Sequence, residues 1–454
     1  MNGFLEPRSV AVVGASADPR RGGYHLVANL AECLKERIYP VNPRYEEICG
    51  LPCYGSVLDL PESVDLCIVF VPAPDVPKVL DACGKKGIRR VMIQSAGFAE
   101  TGEQGRRLQD RCVQIARQTH LRLWGPNCMG MLNGRKRIVA SFMRPDIWRE
   151  NLRGGGVSLI VQSGMLAAGF LMQILSDGYF GLSHACSIGN RCDVNECDLL
   201  EHFAQDSATE VVALYLESVA DGARFRRAVA ALGRPVILLK GGTSPGGAQA
   251  AVSHTASLAG DAQVAEGLFR QLGVHRAHDF VELMDLTKAL ALWRGRTRGG
   301  RVAVVTFSGA AGIVCADHLA RRGMTLSPLS PSTIQKLREI LPPWMEPANP
   351  VDIWPAIERV GRVRAYGAAL QALAADPLVD AIHAHLYVDA RIAKGDMAFL
   401  QPLAHAPKPA ALWIIGDTAW FGHFRSRSES LGVPVYREIE RGVRALSLMM
   451  GESS

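Results

Sequence analysis

The sequence predicts an α/β fold built from parallel, doubly wound sheets. Short runs rich in Val and Ile recur at residues 9–13, 64–71, 91–95, 157–161, 211–216, 236–239 and 302–307, without polar alternation. Strands covered by helices on both faces read this way. Between the runs lie Gly-rich turns and longer stretches with helical spacing, the alternation that makes βαβ crossovers. The length, 454 residues, allows about three domains at about 150 residues each.

The joints fall where the pattern lapses. Residues 146–156 carry Arg, Asn and three consecutive glycines, and residues 294–300 read RGRTRGG. Cutting there predicts domains over 1–145, 150–293 and 300–450. The second and third open alike. Residues 154–167 read GGGVSLIVQSGMLA and residues 299–312 read GGRVAVVTFSGAAG. Each is a glycine pair, a buried strand, Ser-Gly and a helix start of small residues, as related α/β units would show.

Composition excludes several classes. Hydrophobic residues make 48% and charged residues 21% of the chain, which is globular rather than disordered. A net charge of +6 is too thinly spread to predict nucleic-acid binding, and it suits an anionic small ligand. The eleven cysteines include no C-x-x-C pair, so they read as reduced, mostly buried thiols, and no metal site is expected. The N-terminus has Glu6 and Pro7 where a signal peptide needs a basic and then an apolar run. No apolar stretch reaches the roughly 20 residues that span a bilayer. A soluble, cytoplasmic protein without membrane contact is expected.

Residues 10–30 read VAVVGASADPRRGGYHLVANL. A buried strand runs into Gly14, Ala15 and Ser16, then into a helix start at which free N–H groups would meet a phosphate. The spacing is not G-x-G-x-x-G. The second strand ends in Asn42, Pro43 and Arg44, where an NAD site wants an acid for the ribose diol. A basic residue suits a phosphorylated ribose, as in CoA or NADP. Later strands end at Val71, Pro72 and Ala73, and at Ser95, Ala96 and Gly97. In open sheets ligands sit at such carboxyl ends.

Residues 240–261 read KGGTSPGGAQAAVSHTASLAGD. Glycines and a proline precede His254, so this imidazole would ride on a long loop able to carry it between two places. Imidazole can attack phosphorus and later give up the phosphoryl group. It needs a partner to hold its tautomer, and Glu217, at the end of the run 211–216, is a candidate. Ser163, Gly164 and Met165 form a strand-to-helix turn whose N–H groups would hold a phosphate. Val161 stands where G-x-S-x-G needs its first glycine, which argues against a hydrolase.

Taken together and in order, VVGAS (12–16), PVNPRYEEICGLPCYGS (40–56), SAGFAETGEQG (95–105), GPNCMG (125–130), QSGMLAA (162–168), SIGNRCDVNECDLL (187–200), SHTASLAGD (253–261), FSGAAG (307–312) and NPVDI (349–353) resemble the α subunit of NDP-forming acyl-CoA synthetases. That group includes ADP-forming acetate–CoA ligase and succinyl-CoA synthetase. The resemblance runs from about residue 4 to residue 443. It implies a Rossmann-like CoA-binding domain followed by two flavodoxin-like, succinyl-CoA synthetase-type domains. It implies that CoA is held by the segments carrying Gly14, Asn42, Arg44, Val71, Ser95 and Asn127. It also implies that His254 is the phosphorylated histidine, Glu217 its hydrogen-bonding carboxylate, and Ser163 and Gly164 the phosphate-holding helix start.

The implied reaction is acyl-CoA + phosphate + ADP ⇌ carboxylic acid + CoA + ATP. Two departures are local: Ala256 stands where Gly is commoner, and Val161 precedes Gln162 where Ser is more usual. The third is that no nucleotide-binding ATP-grasp segment is visible. ATP/ADP and Mg2+ are therefore expected on a separate ATP-grasp β-type subunit, in an α2β2 assembly or a homodimer. Two other readings stay open: a non-catalytic CoA- or acyl-CoA-binding regulatory or scaffold protein, and an NADP-linked oxidoreductase. The carboxylic acid, and ATP against GTP, are not readable.

Overall fold

The computed structural model describes residues 1–34, 37–219, 221–249, 262–293, 295 and 299–451, with the backbone alone for 165–167 and 262. The chain divides into two compact units, Met1–Leu283 and Met284–Ser454. Among the described residues no helix is long and apolar enough to cross a membrane.

The first unit holds two sheets. Strands β1 (Val10–Val13), β2 (Ile38–Val41), β5 (Leu66–Val69), β6 (Arg90–Ile93) and β7 (Arg122–Trp124) make a parallel sheet ordered β2-β1-β5-β6-β7. A two-stranded ribbon, β3 (Glu47–Ile48) with β4 (Leu51–Pro52), follows β2. All four residues of β1 and of β5 are buried. Their unbroken apolar runs are what a strand with helices on both faces requires.

The second sheet contains β8 (Gly130–Asn133), β9 (Ile138–Ser141), β10 (Gly154–Val161), β11 (Leu182–Ser187), β12 (Val211–Leu216), β13 (Val236–Lys240) and β14 (His275–Ala277). Its order is β14-β13-β12-β10-β11-β8-β9, parallel except where β8 and β9 add antiparallel at one edge.

The second unit carries β15 (Arg301–Thr306), β16 (Thr325–Leu326), β17 (Val351–Asp352), β18 (Ala381–Val388), β19 (Ala410–Gly416) and β20 (Val435–Tyr436). The order is β16-β15-β18-β19-β20, with β17 also on β15. In each sheet the chain turns both ways from one strand: β1, β10 and β15. The carboxyl ends of these strands are the switch points where open α/β sheets leave a crevice. They are also the three Gly or Ser-Gly turns singled out in the sequence.

Candidate active site

Gly14 ends β1 with φ +93°, and a Cβ there would overlap the Phe70 carbonyl oxygen. Only glycine fits, and the chain turns away into a cavity of about 540 Å³ lined by Gly14, Asn42, Pro43, Arg44, Val71 and Pro72 of the expected set. Asn42 fixes its rim. Its Nδ2 donates to the Ala15 carbonyl (2.7 Å) and its Oδ1 accepts the Arg44 N–H (3.0 Å). Arg21 and Lys78 join Arg44 on the wall, against the single acid Asp75. Such a cationic, Gly-lined cavity at a switch point suits a phosphorylated nucleotide. Nearby, a hydrogen bond from Arg20 holds the Asp18 carboxyl down at about 2.

A second cavity, of about 430 Å³, shares Phe70 and Val71 with the first. It brings together Ser95, Ala96, Asn127 and Gly164 of the expected set with Gln94, Cys128, Met129 and Phe142. Ser95 Oγ donates to the Val71 carbonyl (2.5 Å), and the Asn127 N–H donates to the Ser95 carbonyl (2.9 Å). Gly164 opens the helix Gly164–Asp177, so the helix start, the end at which first-turn N–H groups have no partner within the helix itself, borders this cavity. Met165 follows it in the backbone. Phe70 and Phe142, with ring centroids 5.3 Å apart, make the apolar wall.

Ala15, Ser16, Ala73 and Gly97 line neither cavity. Ala15 and Ala73 are buried. Ser16 Oγ accepts the Asp18 N–H (3.1 Å), and the Gly97 N–H donates to Glu100 Oε1 (2.6 Å). These residues shape the turns behind the walls.

Beside the Ser163 turn, Gln162 is buried and its N–H donates to the Tyr215 carbonyl (3.0 Å). Its Oε1 accepts the N–H groups of Glu217 (2.7 Å) and Ser218 (3.3 Å). The carboxyl ends of β10 and β12 are thereby clamped together, placing buried Glu217 next to the helix start. The Tyr215 hydroxyl donates to Glu217 Oε1 at 3.4 Å. Burial, then the neighbouring Glu217 charge, pushes the Tyr215 phenol up to about 12. Lys240, at the end of β13, donates to the Glu217 carbonyl (2.6 Å), and burial lowers its pKa. Arg191 donates to the Ser218 carbonyl (2.9 Å) and hydroxyl (2.6 Å) and to Glu196 Oε2 (2.9 Å). His254 lies outside the described residues. Sequence reasoning missed Arg21, Lys78, Gln162, Arg191 and Lys240; the signal was a polar residue at a strand end or beside a Gly-rich turn, except for Lys78, which stands in the first turn of the helix Val76–Lys86.

Residues 8–134 match the family described as a CoA binding domain, and residues 154–290 match the succinyl-CoA ligase like flavodoxin domain. Over 463 residues the chain is 33% identical to the acetate–CoA ligase [ADP-forming] I subunit alpha of Pyrococcus furiosus, covering 99% of this chain and 97% of that one. The chain belongs to the ADP-forming acetate–CoA ligase family.

Another family member, the acetate–CoA ligase [ADP-forming] II of Archaeoglobus fulgidus, is 33% identical over 443 residues. The chain spans 65% of that relative's length. A solved structure described as a dinucleotide forming acetyl-coenzyme A synthetase 1 of Ca. Korarchaeum cryptofilum, in complex with phosphate and ADP, superposes with TM-score 0.87 at 32% identity, covering 99% of this chain and 95% of that one. In this ligase-family chain the CoA binding domain match encloses every residue lining the first cavity. The flavodoxin-domain match encloses Gly164, Arg191, Glu217, Lys240 and His254.

Proposed function

We propose that the chain is the CoA-binding, phosphohistidine-bearing component of an ADP-forming acyl-CoA synthetase. It interconverts acyl-CoA, phosphate and ADP with a carboxylic acid, CoA and ATP. The observation that carries this reading is a cationic cavity that shares the lining residues Phe70 and Val71 with a second cavity bordered by the helix start at Gly164. Arg21, Arg44 and Lys78 pair with the phosphates of CoA. Its acyl thioester lies toward Phe70, Met129 and Phe142. Phosphate held by the N–H groups at Ser163, Gly164 and Met165 attacks the thioester carbonyl; a C–O bond forms, the C–S bond breaks, and the thiol leaves with a proton.

The imidazole of His254 then attacks phosphorus, releasing the carboxylate and taking the phosphoryl group to ADP. Glu217 accepts the ring N–H on the other nitrogen and fixes the tautomer. Burial and its clamped backbone hold that carboxylate in place. The name "subunit alpha" on a relative covered over 97% of its length supports placing ATP/ADP and Mg2+ on an ATP-grasp β-type partner, in an α2β2 assembly in the cytoplasm. We read the domains as 1–145, 150–293 and 300–450, with residues 130–141 lending two strands to the second sheet.

The test is phosphoryl labelling. With an ATP-grasp partner and radiolabelled ATP, the chain takes up acid-labile, base-stable label, and His254→Ala takes up none. Full ATP-dependent thioester formation by His254→Ala would overturn the mechanism.

A further inference from the structure

Nothing in the proposed reaction uses the second unit's most unusual interior feature. His383 and His385 are fully buried in β18. Two residues apart on a strand, they face the same side. They look into an apolar layer with Val304, Leu319, Ala411 and Val443, under the helices Gly309–Arg321 and Ile439–Met449. Cys315, also fully buried, comes down from the first of these helices. One ligating atom from each of Cys315, His383 and His385 lies within 4.8 Å of the others.

Thr306 Oγ1 lies 2.8 Å from the Ser308 carbonyl and accepts the Ser308 N–H (3.1 Å). It shares a hydrogen bond with His385 Nδ1 at 3.1 Å, which orients the ring. His385 Nε2, on the far side of the ring, has no hydrogen-bond partner among the described residues. One side of the His383 ring meets the Ile439 backbone as a hydrogen-bond partner. Burial drives the His383 ring down to about 3, opposed only by the nearby Ile439 backbone, and burial pushes the Cys315 thiol up to about 12. Three ligating side chains thus face one another in an apolar layer, with His385 Nε2 left without a partner among the described residues. Buried polar atoms without partners call for an ion or water.

The geometry points to a binding site for a thiophilic closed-shell cation, Zn2+ or Cu+, held by Cys315, His383 and His385. Two imidazoles and a thiolate suit these ions, whereas Mg2+ and Ca2+ take oxygen ligands. Loading releases one proton, from Cys315, because the thiolate is the ligand. Thr306 is the positioning residue that orients His385, the usual task of a group hydrogen-bonded to the far side of a ligating imidazole. The site pins a helix to the sheet. The sequence predicted no metal site because Cys315 and the histidines lie far apart along the chain and meet only across the layer.

The test uses the whole chain, stripped with chelator and reloaded separately with Zn2+, Cu+ and the spectroscopic probe Co2+. About one equivalent is retained, Co2+ gives a thiolate charge-transfer band, and the loaded protein melts roughly 5 °C higher. Cys315→Ala and His385→Gln lose the band, and Thr306→Val weakens affinity about 10- to 100-fold while keeping it. Failure of the unmodified chain to retain any of the three ions overturns the proposal, whatever the variants do. An undiminished band in folded Cys315→Ala also overturns it.

Discussion

Two turns of this molecule begin with almost the same sequence and end in different surroundings. After β10 comes Gln162-Ser163-Gly164, and after β15 comes Phe307-Ser308-Gly309. Both lie at a switch point, and both start a helix of more than twelve residues, Gly164–Asp177 and Gly309–Arg321. The first borders a cavity, and the Gln162 side chain reaches sideways to hold the amides of Glu217 and Ser218. In the second, a Cβ on Gly309 would stand 3.4 Å from Asp352 Oδ2. The chain's own carboxylate occupies the neighbourhood of that positive helix end. The same local motif thus borders a cavity in one unit and faces the chain's own carboxylate in the other. The adjacent strand brings Glu217 beside the first turn and Asp352 beside the second.

The largest effect expected from this difference is at Glu217. Glu217→Gln keeps the shape and removes the charge proposed to fix the imidazole. It should lower turnover by about 10³-fold with little change in melting temperature. Steady-state thioester formation checks this, and an unchanged kcat breaks the assignment of the first turn. Next comes the cationic wall. Arg44→Ala should raise KM for CoA about 10- to 100-fold with kcat nearly preserved, because a charge-assisted phosphate contact is worth about 1.5–3 kcal/mol. An unmoved KM would detach the first cavity from CoA.

The smallest effect sharpens the contrast directly. A Cβ on Gly164 would sit 3.2 Å from the Asn127 carbonyl oxygen at the mouth of the second cavity, whereas Gly309 has the looser 3.4 Å contact. Gly164→Ala should raise KM for phosphate by roughly threefold to tenfold. Gly309→Ala should leave kinetics within about twofold and stabilise its helix by about 0.5–1 kcal/mol. Phosphate titrations of the two variants, with melting curves, separate the turns.

Most of the fold was legible because buried parallel strands write themselves as unbroken Val and Ile runs, and seven such runs mark β1, β5, β6, β10, β12, β13 and β15. The short edge strands were not. β16, β17 and β20 have two residues each, too few to leave a period. β8 and β9 pair antiparallel onto a sheet whose parallel strands come later in the chain, a long-range choice that no local pattern records. The site was legible where glycine was forced, as at Gly14. It was obscure where polar side chains converge from separate elements: Gln162, Arg191 and Lys240 meet around Glu217 from three different strand ends or loops. Ala15, Ser16, Ala73 and Gly97 belong to the turns around the cavities, but turn membership does not say which backbone faces the void.

Phe70 and Val71 line both cavities, Arg21, Arg44 and Lys78 the first alone, and Met129 and Phe142 the second alone. On the proposed function, a lineage exchanges one acid for another by resculpting two or three side chains of the second cavity while the fit of the carrier stays as it was. An engineer retargeting the enzyme should begin at Phe142 and leave Arg44 alone.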